Sequence, residues 1–265
     1  MATAAPVFEE RRMSIGRVFQ RAFATIAHNP LVVVGLALVL GGLPSALVSY
    51  LTRSFTGPNA AALANGGQTR FWSVMLFSWV IAVIIGAIVQ GALTRATVAE
   101  NEGRRASFVD CLAAGVRVLL PLIAIGLIFG FAMGFGFVLL IIPGIFVMII
   151  WSVAAPAEVV ERDGVMMALS RSTELTKGFR WKILGLFLVL LVIYLFVFTL
   201  LGLVGLSSLR TGAAAGEFGL ANLIASVVSA MVMNLLWGTI QPSLYIELRQ
   251  AKEGSSLESL ETVFA

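Results

Sequence analysis

Forty consecutive residues, Val118 to Ala157, carry no charged side chain. As helix this run would rise about 60 Å, twice the roughly 30 Å hydrocarbon core of a bilayer. It therefore predicts two membrane passes joined by a turn that hardly leaves the hydrocarbon. Pro143-Gly144 marks the start of the second pass, because proline is tolerated in a first helical turn. A second uncharged run extends from Ile183 to Ser208, and between the two lies the densely charged stretch Pro156–Trp181. A charged knot between two charge-free runs reads as a loop at a membrane surface.

Only a helix or a closed barrel satisfies its backbone inside lipid, and alternating ten-residue strands are absent. Hydrophobic residues make up 59% of the chain and charged residues 12%, against roughly 45–50% and 25% in soluble domains. Mean hydropathy is +0.97. The predicted fold class is all-α: a single integral membrane domain over 1–265, a six-transmembrane-helix bundle with three amphipathic interfacial helices. The spans are 31–51, 71–98, 118–138, 143–161, 181–206 and 220–248. The amphipathic segments are 13–28, 107–117 and 165–177, and a polar tail occupies 249–265. In the first amphipathic segment Ile15, Val18, Phe19, Ala22, Phe23 and Ile26 share a face. Ser107 with Asp110, and Ser255 with Glu258, form capping boxes.

Six passes put fifteen Lys and Arg residues on the side of the N-terminus, and only Arg53, Arg70 and Arg210 on the other. By the positive-inside rule both termini are expected in the cytoplasm. The mixed sequence after Glu9, Glu10, Arg11 and Arg12 is not that of a cleavable leader. The net charge of +4 suits anionic lipid headgroups rather than nucleic acid. Arg17, Arg21, Arg171, Lys177 and Arg180 are the candidate headgroup contacts.

Cys111 and His28 each stand alone in their residue type. One thiol excludes an internal disulfide, and the pair cannot build a zinc site. No nucleophile is arranged around His28, and no phosphate-binding loop, dinucleotide fingerprint or HExxH pattern occurs. The expectation is a non-enzymatic protein with no catalytic residue, cofactor or metal.

Three polar features remain. Glu158 is the carboxylate nearest a span interior, either an interfacial acid or a buried one paired with Arg171 or Arg180. Ser78, Ala82, Gly86, Gln90 and Thr94 form a stripe on the second span, and Ser226, Ala230, Asn234, Gly238, Gln241 and Tyr245 do so on the sixth. If they face one another, Gln90, Thr94, Asn234, Gln241 and Tyr245 line a polar seam; interhelical hydrogen bonding is the simpler use. Gly126, Gly130 and Gly134 make two GxxxG steps, suited to close packing within the bundle or to a homo-oligomer or partner-protein contact. Trp72 and Trp181 read as interfacial anchors at opposite surfaces.

The unit of amphipathic segment, span, turn and span recurs three times, each ending in an acidic residue and glycine. Gln90 precedes Glu102-Gly103 with the spacing that Gln241 has to Glu253-Gly254, and Asp163-Gly164 closes the middle unit. Helix-pair repeats are common in transporters.

The Pro143-Gly144 pair, the box around Ala168, Ser170, Ser172, Leu175, Thr176, Gly178 and Trp181, and the ending LYIELRQAKEG together resemble a family of small six-helix bacterial inner-membrane proteins. Relatives of that family form the membrane domain joined to some glycerophosphodiester phosphodiesterases. The catalytic barrel of those relatives has no counterpart here, so the resemblance implies a membrane setting and not phosphodiesterase activity. Two functions are expected from the sequence. One is a role in membrane lipid or envelope organisation. The other is transport of a small solute along the seam between the second and sixth spans.

Overall fold

The computed structural model describes residues 13–56, 68–210 and 220–264, all of the elements among them helical. Arg11, Arg12 and Glu217 lie outside these residues, as do the side chains of Arg53, Arg70, Arg210, Ser255 and Glu258. Six helical stretches are long and apolar enough to cross a membrane, so the protein is an integral, multi-pass all-α bundle.

Helix α1 (Ile15–His28) lies ahead of the first span, which is built from α2 (Pro30–Leu36), a π-helical segment Ala37–Gly42 and α3 (Leu43–Thr56). The second span is α4 (Gln68–Asn101). After α5 (Phe108–Arg117) come α6 (Leu119–Leu139), α7 (Ile141–Ile150) and α8 (Ala154–Glu161), then α9 (Val165–Thr176), α10 (Arg180–Arg210) and α11 (Leu220–Phe264). Ser107 caps α5 as its sequence predicts, accepting the Asp110 amide at 3.2 Å. The expected break before a polar tail is absent: α11 runs on through Gly254 to Phe264, so Ser255 opens no new helix.

Leu140 alone separates α6 from α7. The turn is this tight because Gly136 meets Gly144 backbone to backbone; a Cβ on Gly136 would lie 2.9 Å from the Gly144 Cα. Leu139, Leu140, Ile141 and Ile142 all remain exposed, as a turn left at hydrocarbon depth requires. The fourth span is interrupted after Ile150, and the Ser172 side chain on α9 mends the break. Its hydroxyl donates to the Ile150 carbonyl at 2.8 Å and accepts the Val153 amide at 3.3 Å. The Thr176 hydroxyl donates to the Ser172 carbonyl. Gly178, at φ 93°, then turns the chain into α10. The Ser/Leu/Thr/Gly box thus holds an interrupted span together.

Each amphipathic helix packs most against the end of the second span of the unit before it. Helix α5 sits on α4, α9 on α8, and α1 on α11, which closes the three units into a ring. The closing contact is both apolar and ionic. Val18 and Ala22 are buried with Leu244 and Leu248. Glu247, whose side chain is 3% exposed, lies 2.7 Å from Arg17 and 3.4 Å from Arg21 and accepts the Ser14 amide at 3.1 Å. The stacked pair Phe19 and Phe23 marks the outer edge of α1, Phe23 being exposed. Within the ring, Gly91 and Gly115 bring α4 and α5 together. A Cβ on Gly91 would lie 2.8 Å from the Gly115 Cα, and one on Gly115 would strike the Ile88 carbonyl.

Burial is uneven along the membrane normal. On the side of the amphipathic helices the bundle is dense, with every residue from Gly238 to Leu248 buried. Towards the opposite side α4 exposes most of its side chains and those of α11 are half-buried, and the spans part there.

Candidate functional site

Where the spans part they leave a half-open cavity of about 490 Å³ between the second, third, fourth and sixth spans. Gln90 from α4 and Gln241 from α11 stand in its lining, and the Gln90 amide donates to the Gln241 carbonyl oxygen at 2.7 Å. Asn234, two turns along α11, lines the same space; its amide donates to the Ala230 carbonyl at 2.7 Å and lies against Gly41 in the π-helical segment. Trp79, Trp151 and Trp237 supply most of the aromatic wall.

The glycines of the third span explain why there is space at all. A Cβ placed on Gly126, Gly130 or Gly134 would meet nothing within 4 Å, and Gly126 and Gly130 line the cavity. The expectation that these GxxxG steps pack against a neighbouring helix of the bundle is therefore corrected. They hold a volume open instead of closing one.

Aligning Glu102-Gly103, Asp163-Gly164 and Glu253-Gly254 puts Gln90, Trp151 and Gln241 at the same place in their units, each twelve residues before the acidic residue. All three line the cavity. Gln90 is five residues, about 7.5 Å of helix, from Arg95, the first charged residue that follows it on its span. The cavity thus has its polar group within the uncharged part of the second span, where the three repeats converge.

Two members of the predicted seam lie elsewhere. Thr94, one turn below Gln90, is fully buried and its hydroxyl has no hydrogen-bond partner. Tyr245, one turn below Gln241, is buried and donates to Glu161 at 2.7 Å. That bond belongs to a charged cluster at the ring: Glu161 also accepts from Arg171 at 3.1 Å, and Arg171 pairs with Glu253, which Arg249 reaches at 2.7 Å. Burial alone would lower the Arg171 pKa, but the hydrogen bonds to Glu161 and Glu253 outweigh it and raise it.

The other sequence candidates divide by partner. Glu158 is buried, 4% exposed, and accepts the Gly164 amide at 3.0 Å; Arg171 is committed to Glu161, Glu174 and Glu253, so neither it nor Arg180 pairs with Glu158. Arg17 and Arg21 spend their charge on Glu247. Arg180 lies over the Phe146 ring at 4.8 Å, and Lys177 is exposed. His28 bonds Glu100 at 2.6 Å and ties the end of α1 to α4. Cys111 is buried on α5, and burial pushes its thiol up to about 11. Among the described residues no three His, Cys, Asp or Glu side chains are grouped as metal ligands would be.

Residues 13–246 match a family described as a domain of unknown function, DUF7847. The chain belongs to that family. The match covers the whole lining of the cavity and stops one residue short of Glu247 in the ring-closing contact. No curated protein and no solved structure matches the chain.

Sequence reasoning found Gln90, Asn234 and Gln241 from their helical spacing but missed Trp151 and Trp237 as lining residues. The signal for Trp151 was available in the repeat register. That for Trp237 was not, since an aromatic residue in a span usually packs.

Proposed function

We propose that this protein is a non-enzymatic binder of a neutral, hydrogen-bonding molecule of the membrane, with a role in lipid or envelope organisation. The observation that carries the reading is the Gln90–Gln241 amide pair in a cavity of about 490 Å³. Binding pockets for small molecules are mostly apolar spaces of about 300–1,000 Å³ with a few polar groups that fix orientation. The lining here is tryptophan, aliphatic side chains and glycine around three neutral amides, with no ionisable side chain in it. A charged ligand would meet no counter-charge there, and a wholly apolar one would leave the amides facing hydrocarbon.

Transport of a small solute is the second reading, favoured by the cavity's position between the second and sixth spans. The dense packing of Gly238–Leu248 beneath the glutamine pair favours holding a molecule over conducting it. The excess of fifteen cationic residues over three supports cytoplasmic termini, and the family resemblance supports a bacterial inner membrane. The resemblance to membrane domains joined to glycerophosphodiester phosphodiesterases supports a lipid setting.

Gly130→Leu tests the reading, because it fills the cavity where a side chain has room. The protein, purified in nanodiscs of a native lipid extract, should carry a co-purifying neutral molecule in native mass spectra, and G130L should lose it while melting at the same temperature. Equal retention by wild type and G130L would defeat the proposal.

A further inference from the structure

A second recess lies on the lipid-facing side of the bundle, a groove of about 420 Å³ between α7, α10 and α11. Its walls are Phe137, Ile145, Met148, Leu188 and Leu191 among others, and Tyr194 brings the single hydroxyl. Leu188 and Leu191 are each at least half exposed, so the groove opens where acyl chains surround the protein. One side chain, Trp237, lines both this groove and the polar cavity. It is 38% exposed and stacks on Phe187 with ring centroids 6.0 Å apart. It is the side chain that the two linings share, and it stands between the amides of the cavity and the apolar walls of the groove.

We infer that the two recesses form one site for a neutral single-chain amphiphile, its acyl chain in the groove, its polyol or amide head at Gln90 and Gln241, and Trp237 as the wall it passes. This inference rests on the proposed function and names its ligand class and route. Three observations select that class. The groove is almost wholly apolar and limited to about 420 Å³, which suits an acyl chain and not a folded polar segment. The cavity offers amide donors and acceptors but no charge, which disfavours phosphate or carboxylate heads. And the route opens to lipid, where a single-chain amphiphile is dissolved.

The probe is a monoacylglycerol with a photoreactive diazirine near its head, added to the full chain in phosphatidylcholine nanodiscs and mapped by peptide mass spectrometry. In the wild type, cavity peptides around Asn234 and Gly130 should label saturably, and excess unlabelled monoacylglycerol should compete. Leu191→Trp and, separately, Leu188→Trp narrow the groove at lipid-exposed positions without touching the cavity. Each should slow cavity labelling by about tenfold, and Trp237→Ala should speed it. Gly130→Leu should abolish it. If both groove variants label the cavity as fast as wild type while G130L does not label, the shared site fails and the cavity reading stands. If the wild-type cavity labels no more than G130L, both fail. Labelling confined to the groove and not competed by unlabelled probe is bulk lipid contact, and it overturns the inference.

Discussion

Glu247 shows how a single side chain can serve structure in a place where charge is costly. A carboxylate at the centre of a span is unfavourable by about 2.5–3.5 kcal/mol on insertion scales, and this one, towards the charged end of the last span, is nevertheless buried. It is retained because Arg17, Arg21 and the Ser14 amide converge on it. Arg17 is half exposed, so solvent screening weakens its share, and Glu247→Gln should cost about 2 kcal/mol. The lower melting temperature would be read in detergent, and an unchanged value would mean that the apolar contacts of α1 suffice alone. The same residue gives two sequence candidates a partner inside the protein: Arg17 and Arg21 lie on a basic helix face, as a lipid-binding segment would have it, and both also reach Glu247. Nothing local to α1 announces this, because Glu247 is more than 200 residues away.

At the scale of elements, glycine has opposite uses in neighbouring helices, and spacing alone does not tell them apart. Gly126, Gly130 and Gly134 have the i, i+4 pattern of a packing face and pack against nothing within 4 Å. Gly91 and Gly115 have no such pattern and are where α4 and α5 touch. Alanine substitutions should separate the two groups. Gly115→Ala forces a methyl into the Ile88 carbonyl and should destabilise by about 1–3 kcal/mol. Gly134→Ala relieves the helix cost of glycine and should be neutral or stabilising by up to about 1 kcal/mol. Thermal denaturation of both variants checks this, and the reverse order would contradict the packing described. The Ser172 bridge is a second case in which a motif was visible and its purpose was not. The box around Ser172 is distinctive in the sequence, but the interruption after Ile150 that it mends lies on another element.

For the whole molecule, the decisive arrangement is the ring in which each amphipathic helix rests on the preceding unit and α1 returns to α11. It makes the amphipathic side a dense, closed layer and leaves the far side free to part around the cavity. Removing α1 should loosen α11 before the rest. In a Cys111→Ala background, a cysteine at Leu244, which is buried beside Val18, should react with a maleimide about tenfold faster once residues 13–28 are deleted. A cysteine at Leu169, buried in a separate cluster with Ile125 and Ala154, should not change. Equal acceleration at both sites would mean that α1 supports the whole bundle rather than closing the ring.

Composition and the lengths of the uncharged runs determined that this chain is a helical membrane protein with six spans, because lipid admits few alternatives and a span must be long. The threefold unit was also legible, since turn glycines and acidic endings recur at fixed spacing along one strand of text. Only the tertiary structure decided which charges are used internally, which glycines close a contact, and that Gln90, Trp151 and Gln241 meet at one cavity. Periodicity places a side chain on a face of its own helix. What that face meets depends on how helices far apart in the chain are arranged, and here four spans stop short of one another and leave a cavity.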